Sequence, residues 1–566
     1  MIIRKFVLLG LITTLFIGPS NGELFTSMAD LQRLLQAEKD IPKVINDYIA
    51  SENERLNDLK KMVEKYRSKN SDVHKNLESV SNPINAFRMI KRLSETWRTL
   101  QDKMRSDRTE EFLKNVSYAG RVQFPEEEDL SGAAVGLLRL QDTYRLDTKD
   151  LANGVVAKLK TSKELSASDC FEIGRLAYNN EDYYHTLLWM DEAMERSKRE
   201  NPPTATEADI LEYLAFALYK QDNVKRALLA TDRLYQLRPN HPRAKGNIKW
   251  YEDQLLDEGV RRSEFRRNIP PLVNLRPTDN MDTQERNTYE ALCRNEVPVV
   301  STIDKDRIKR FQSTKETSKL YCYYKRDRPF LRIAPFKVEI LRFNPLAVLF
   351  KNVISDDEIE TIQQLAAPKL ARATVQNSQT GQLETASYRI SKSAWLKGSA
   401  HEVVERVNNR IEQMTNLEME TAEELQIANY GIAGHYDAHF DFARKEETKA
   451  FSDLGTGNRI ATVLFYMSKP EKGGGTVFTE IKTTVMPSKN DALFWYNLMR
   501  NGEGDLRTRH AACPVLLGVK WVSNKWIHEA GQEFRRPCGL KPSVYERYVG
   551  DLGGPEPRNH PNLSPY

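Results

Sequence analysis

The residues Leu425 to Asp441, LQIANYGIAGHYDAHFD, have the types and spacing from which chemistry can be built. The stretch begins as an apolar run, passes Gly431 and Gly434, and ends on His439-Phe440-Asp441. In an extended strand, side chains i and i+2 share a face, so His439 and Asp441 can point at one spot while Phe440 points away. One imidazole and one carboxylate on one face are two thirds of the triad that holds non-haem Fe(II) and leaves positions open for co-substrate and O2. His435 with His439, four apart, is a competing helical zinc pair. Gly431 and Gly434 disfavour a helix there. A plain surface strand with two polar residues fits the same spacing, so a second histidine decides.

His510, in RTRHAACPV, supplies that histidine on a later strand. Ten residues on, Lys520 sits in LGVKWV, where Val519, Trp521 and Val522 argue that it is buried. A buried ammonium without a counter-charge is costly. An edge lysine reaching out to solvent is the alternative. A dicarboxylic co-substrate would supply the missing anion, gripping iron with its 2-oxo acid end and the lysine with its far carboxylate.

The elements that must position these groups make up only the last part of the chain. With 566 residues the chain is too long for one core, and about three domains are expected. Lys+Arg 84 against Asp+Glu 79 gives a net charge of +5 with no basic block, which excludes a nucleic-acid footprint. Arg4 and Lys5, the short apolar run Phe6 to Gly18 and the small residues Ser20-Asn21-Gly22 read as a secretory signal over 1–22. No later run has membrane length, so no membrane span is expected. The secretory route permits disulfides. Of five cysteines, sequence proximity favours Cys293 with Cys322 and Cys513 with Cys538, each worth roughly 3 kcal/mol, and leaves Cys170 as a buried thiol. Asn115-Val116-Ser117 is a glycosylation sequon, and Asn562-Leu563-Ser564 a weaker one. The C-terminus lacks a KDEL-type retrieval signal.

In order along the chain, 23–145 reads as helical. Leu56, Leu59, Val63 and Tyr66 form a short coiled-coil seam suited to self-association. Within 155–258, Ala217 to Ala227 followed by Pro239 fits the tetratricopeptide pattern, with a looser copy at Ala177-Tyr178. Two helix pairs would give a concave face lined by Tyr178, Tyr213, Phe216, Tyr219 and Trp250. Aromatic grooves bind polyproline II because that helix is extended and pre-ordered. Residues 259–342 read as a charged, Pro-containing linker pinned by a disulfide. Beyond Phe343, Leu425–Tyr430, Arg459–Met467, Thr476–Phe478, Ala492–Tyr496 and Val515–Val522 are strand candidates after a helix capped by Ser355. Closely spaced strands of this kind make a jelly roll, here over 343–541, leaving 542–566 as a flexible tail.

ANYG, HFDFAR, GTGNRIAT, GGGTVF, FWYNL, RHAACPVL, KWVSNKWIHE and EFRRPC together resemble the 2-oxoglutarate/Fe(II) dioxygenases of the prolyl 4-hydroxylase family. The whole chain is similar to the alpha subunits of the collagen prolyl 4-hydroxylases. The resemblance implies that His439, Asp441 and His510 bind Fe(II) and that Lys520 pairs with the 2-oxoglutarate C5 carboxylate. It further implies that Tyr430 and Thr476 assist that carboxylate and that His528 orients the co-substrate. Arg389, Trp395, Tyr436, Arg459 and Trp526 would lie near the peptide. In the tetratricopeptide module, Tyr178, Tyr213, Tyr219 and Asn247 match ligand-contacting positions. Phe216, Trp250 and Asp253 replace the tyrosines usual in relatives.

On that resemblance the chain is the alpha subunit of a procollagen-proline 4-dioxygenase. It would act on X-Pro-Gly repeats with 2-oxoglutarate, O2 and L-ascorbate in the endoplasmic reticulum lumen. Its partner would be protein disulfide isomerase in an alpha2beta2 tetramer. A catalytically silent chaperone for Pro-rich peptides is disfavoured by the intact triad. A lysyl hydroxylase-type oxygenase is disfavoured by Lys520, since that kind usually uses arginine.

Overall fold

The computed structural model describes residues 23–39, 77–98, 124–277, 283–296, 318–376 and 383–541, apart from 448, 449, 452 and 453, with short runs elsewhere. The signal sequence, the coiled-coil seam around Leu56 and the Asn115 sequon lie outside the described residues.

The N-terminal part is helical, with α1 (Met28–Glu38) and the long α2 (Glu127–Tyr144). Acidic residues crowd the first turn of α2, where they favour the positive end of the helix dipole. After a short helix at Thr148–Ala152, five longer helices follow: α3 (Ala167–Asn179), α4 (Tyr183–Ser197), α5 (Glu207–Lys220), α6 (Val224–Leu237) and α7 (Ala244–Asp257). Ser166, Asp182 and Thr206 cap the first three through their side-chain oxygens. This is the expected tetratricopeptide-like module with one helix beyond the two pairs. Pro270 to Leu275 then runs back along it. Asn223 donates to the Val273 carbonyl and accepts from its N–H, and Gln221 does the same for Leu275.

The stretch expected to be a linker is built into the β-rich body instead. Helix α8 (Thr283–Cys293) packs on the small sheet described below, and strands β1 (Cys322–Lys325) and β2 (Phe336–Phe343) form the edge of the large one. The β-rich unit therefore begins at Cys322 or earlier, not at 343. The other strands of the two main sheets are β3 (Leu346–Lys351), β4 (Ala371–Arg372), β5 (Lys392–Leu396), β6 (Leu425–Tyr430), β7 (Tyr436–His439), β8 (Arg459–Tyr466), β9 (Thr476–Phe478), β10 (Thr483–Val485), β11 (Ala492–Tyr496), β12 (His510–Ala512) and β13 (Lys520–His528). Nine strands form the large sheet in the order β1-β2-β3-β11-β8-β13-β6-β5-β4, and four form the small one as β7-β12-β9-β10. The pairings are antiparallel, and the two sheets make the expected double-stranded β-helix.

Alternation decides which residues face the site. On β13, Trp521 and Ile527 turn to the outer core, where α9 (Asp356–Ala366) and α10 (Glu402–Thr415) cover the sheet. Lys520, Val522 and Trp526 turn the other way. Helix α10 buries Val403, Val404, Val407, Ile411 and Met414 along one stripe, each worth about 1.5–3 kcal/mol relative to exposure. Ser355 caps α9 in a reciprocal pair with Glu358, as the sequence predicts.

Two cysteine expectations fail. The disulfide joins Cys293 to Cys513, 220 residues apart, while Cys322 and Cys538 are free and exposed. Sequence proximity misleads because α8 packs on the small sheet, placing Cys293 among Val477, Ala511 and Cys513. Cys170 is buried and free, as expected. The C-terminal stretch is not wholly a flexible tail either. Tyr548 and Val549 are buried, and Arg536 pairs with Glu546 at 2.6 Å.

Candidate active site

Strand β7 ends at His439 and pairs that residue directly with His510 on β12. Asp441 lies just past the strand end, yet it still turns to the same point. His439 Nε2 is 3.5 Å from Asp441 Oδ1, and His510 Nε2 is 3.6 Å from Asp441 Oδ2. All three ligand atoms lie within 4.8 Å of one another. Ligands about 2.1 Å from one ion stand about 3–4 Å apart, so the set fits a single metal.

Second contacts aim these side chains. His439 Nδ1 donates to the Asp437 carbonyl at 2.7 Å, and His510 Nδ1 to the Thr508 carbonyl at 2.9 Å. Each bond fixes the tautomer whose Nε2 lone pair faces the metal position. Thr462 on β8 donates to Asp441 Oδ2 at 2.8 Å and accepts from Asn497 Nδ2 at 2.9 Å. Burial alone would raise the Asp441 carboxyl, but His510, His439 and Arg459 outweigh it and hold the group well below the usual carboxylate range. Burial also pulls His510 down to about 4, leaving a neutral ligand.

Lys520 begins β13 and pairs with Tyr430, the last residue of β6. It is 1 % exposed, and burial lowers its ammonium to about 7. Its Nζ stands 4.7 Å from the Tyr430 ring centre, and no carboxylate among the described residues pairs with it. Thr476 is buried on β9 and accepts a hydrogen bond from Tyr466 at 2.9 Å. Tyr466, Thr462 and Asn497 went unnoticed in the sequence. Their signal was weak: single polar groups inside apolar strands.

His528 stands apart from Lys520. It shares a face with Lys520 but lies eight residues on, roughly 26 Å along the strand. Its Nε2 meets Glu423 at 2.9 Å and its Nδ1 meets the Gly457 carbonyl at 2.8 Å. Only Nε2 holds Glu423, which in turn holds Arg459. His528 thus supports Arg459 through Glu423. His435, the zinc alternative, is buried beside Asp437 at 3.3 Å and belongs to no cluster with His439 and His510.

A cleft of about 1020 Å³ opens over His439 and Asp441 and is lined further by Arg389, Trp395, Tyr436, Arg459 and Trp526. Tyr436 stacks on His439 at 3.6 Å between ring centres, and Arg389 lies over Tyr436 at 4.7 Å. Arg459 covers Trp526 at 4.1 Å, and Trp526 meets Trp395 at 5.9 Å. All five residues expected near the peptide therefore share one cleft.

In the helical module Tyr178 meets Tyr213 at 5.0 Å and Phe216 at 5.7 Å, and Phe216 meets Tyr219 at 5.9 Å. Trp250 donates to the Tyr219 hydroxyl at 3.2 Å while remaining 60 % exposed, one turn along α7 from Asn247. Tyr183 and Tyr251 extend this cluster and were missed. Asp253 is exposed on the same helix.

Three family models match: prolyl 4-hydroxylase alpha-subunit, N-terminal region, over 27–158; prolyl 4-hydroxylase peptide-substrate-binding domain over 167–258; and 2OG-Fe(II) oxygenase superfamily over 425–528. Prolyl 4-hydroxylase subunit alpha-1 of Caenorhabditis elegans is 62% identical over 98% of this chain and 98% of its own. The human subunit alpha-1 is 45% identical over 91% of this chain and 95% of its own. Among solved structures, the viral collagen prolyl hydroxylase from Paramecium bursaria Chlorella virus-1 covers 32% of this chain and 94% of its own, at 23% identity and a TM-score of 0.26. Identity of this extent, running from the N-terminal helices through the triad, means that the chain belongs to the prolyl 4-hydroxylase alpha-subunit family.

Proposed function

We propose that this chain is the catalytic subunit that hydroxylates C4 of proline in X-Pro-Gly repeats of collagen-like chains. The observation that carries the reading is the convergence of His439, Asp441 and His510 on one point, with a buried Lys520 on β13 of the other sheet that no carboxylate among the described residues pairs with. The donor set of two imidazoles and one carboxylate suits Fe(II). When bound there with 2-oxoglutarate, the iron supplies the oxidising power that proline C4 requires.

The chain's own residues do the rest. Lys520 offers its ammonium to the far carboxylate of the co-substrate, with Tyr430 and Thr476 as neighbouring hydroxyls. Thr462 and the Thr508 and Asp437 carbonyls hold the three ligands in one orientation. Arg389, Trp395, Tyr436, Arg459 and Trp526 form the walls that seat the peptide and keep water from the reacting carbon. The Tyr178–Tyr213–Phe216–Tyr219–Trp250 surface, with Asn247, holds a Pro-rich stretch of the same substrate and raises its local concentration.

The finer features follow the family resemblance. They are residence in the endoplasmic reticulum lumen, assembly with protein disulfide isomerase into an alpha2beta2 tetramer, and use of L-ascorbate to restore oxidised iron. The test is co-expression with the isomerase and mass spectrometry of a (Pro-Pro-Gly) repeat peptide. One oxygen added at the residue before glycine is expected. His439→Ala, Asp441→Ala and His510→Ala should abolish it while assembly persists. Unimpaired 2-oxoglutarate consumption by any of the three would sink the assignment.

A further inference from the structure

The first described residues of the chain are packed into the catalytic unit, far from where their sequence position would suggest. Leu24, Phe25, Met28 and Leu31 are buried in one cluster with Ile390, Ile432, Ala433 and Leu516 of the catalytic unit. The Phe25 carbonyl accepts from Ile432 N–H at 2.9 Å. Ser27 Oγ and the Ala29 N–H both donate to the fully buried Asn429 Oδ1 at 3.0 Å. Glu23 pairs with Arg372 on β4, and Asp30 with Lys392 on β5 at 2.6 Å.

Helix α2 closes on the same place from the other side. Asp129, Gly132, Gly136 and Arg139 follow three-four-three spacing and so form one stripe. Asp129 accepts from Phe25 N–H at 3.4 Å, and Arg139 donates to the Ala433 carbonyl at 3.4 Å. The Phe25 ring fills the space where a Cβ at Gly132 would stand, and the Phe25 carbonyl fills that of Gly431. At the C-terminal end of α2, Tyr144 donates to the Pro514 carbonyl at 2.5 Å.

The hydrogen bonds to Ile432, Ala433 and Pro514 fall on two turns. The first, Gly431–His435, joins Tyr430, which pairs with Lys520, to β7, which ends in His439. The second follows β12, which begins with His510, and is bonded to the first through Val515 N–H and the Gly434 carbonyl at 3.1 Å. We propose that residues 24–28 and helix α2 are a brace that sets the distance between the lysine end and the metal end of the site. Phe25 is then a positioning residue for the reaction although it touches neither substrate nor metal. The proposal rests on the function argued above.

The experiment uses the full chain assembled with its partner subunit and compares Phe25→Ala and Tyr144→Phe with the parent. Amide hydrogen exchange, read without iron, should rise about tenfold or more in 428–439 for Phe25→Ala and in 510–516 for Tyr144→Phe, with the rest of the large sheet unchanged. The KM for 2-oxoglutarate should rise about threefold to tenfold, while polyproline binding by the helical module stays within about twofold. Exchange that is unchanged there, or raised equally throughout, overturns the brace. If Phe25→Ala fails to accumulate, Tyr144→Phe, which loses one hydroxyl, decides on 510–516 alone. The exchange arm needs no turnover, so it can succeed or fail independently of the hydroxylase reading.

Discussion

Thr462 donates its hydroxyl to Oδ2 of Asp441 at 2.8 Å, and this contact ties the carboxylate proposed to hold the metal to the middle of the large sheet. Asp441 itself lies beyond the end of β7, where nothing in its own strand would hold it. The hydroxyl also accepts from Asn497, so three buried groups depend on one another.

Replacing Thr462 by Val keeps the shape and removes the hydroxyl. Asp441 and Asn497 each lose a partner, which should cost about 1–3 kcal/mol of stability. The iron concentration for half-maximal turnover should rise about 10–100-fold, the range for losing such a supporting contact. Thermal melting and iron titration of the variant check both expectations. An unchanged iron requirement would show that Asp441 is held by other means.

Lys520 sets a pH dependence. Burial lowers its ammonium to about 7, and a bound carboxylate would restore the charge. Below that pH the lysine is already protonated and the anion binds directly. Above it, binding must take up a proton, so affinity for 2-oxoglutarate should fall by up to about tenfold per pH unit. The KM should therefore climb between about pH 7 and 9 in the parent. Lys520→Arg should flatten that slope, because guanidinium stays charged. Lys520→Ala should raise the KM at every pH. Initial rates at varied 2-oxoglutarate across this range are the measurement.

The Cys293–Cys513 bond is open to direct test. Peptide mapping without reduction should recover those two cysteines together and leave Cys322 and Cys538 alkylatable. Because the loop spans 220 residues, Cys293→Ser should lower stability by as much as about 5 kcal/mol. Recovery of Cys293 joined to Cys322 would overturn this connectivity.

Much of the site was legible in the sequence. Strand periodicity and the flanking apolar residues isolated His439, Asp441, His510 and Lys520, because burial of a polar group inside an apolar run is a local signal. Strand limits such as Leu425–Tyr430 and Ala492–Tyr496, and the Ser355 cap, followed from local rules for the same reason. Other features depend on pairings between distant segments, and only the tertiary structure decided them. Cys293 found Cys513 because a helix from the supposed linker docks on the metal-binding sheet. His528 serves Glu423 and Arg459 because strand length carries it away from Lys520. Phe25 meets Gly431 across some four hundred residues, which no periodicity encodes. Sequence determines which side chains can do chemistry and the local elements that bear them. Which of those elements become neighbours is settled by the burial of faces against one another, and that is a property of the whole chain.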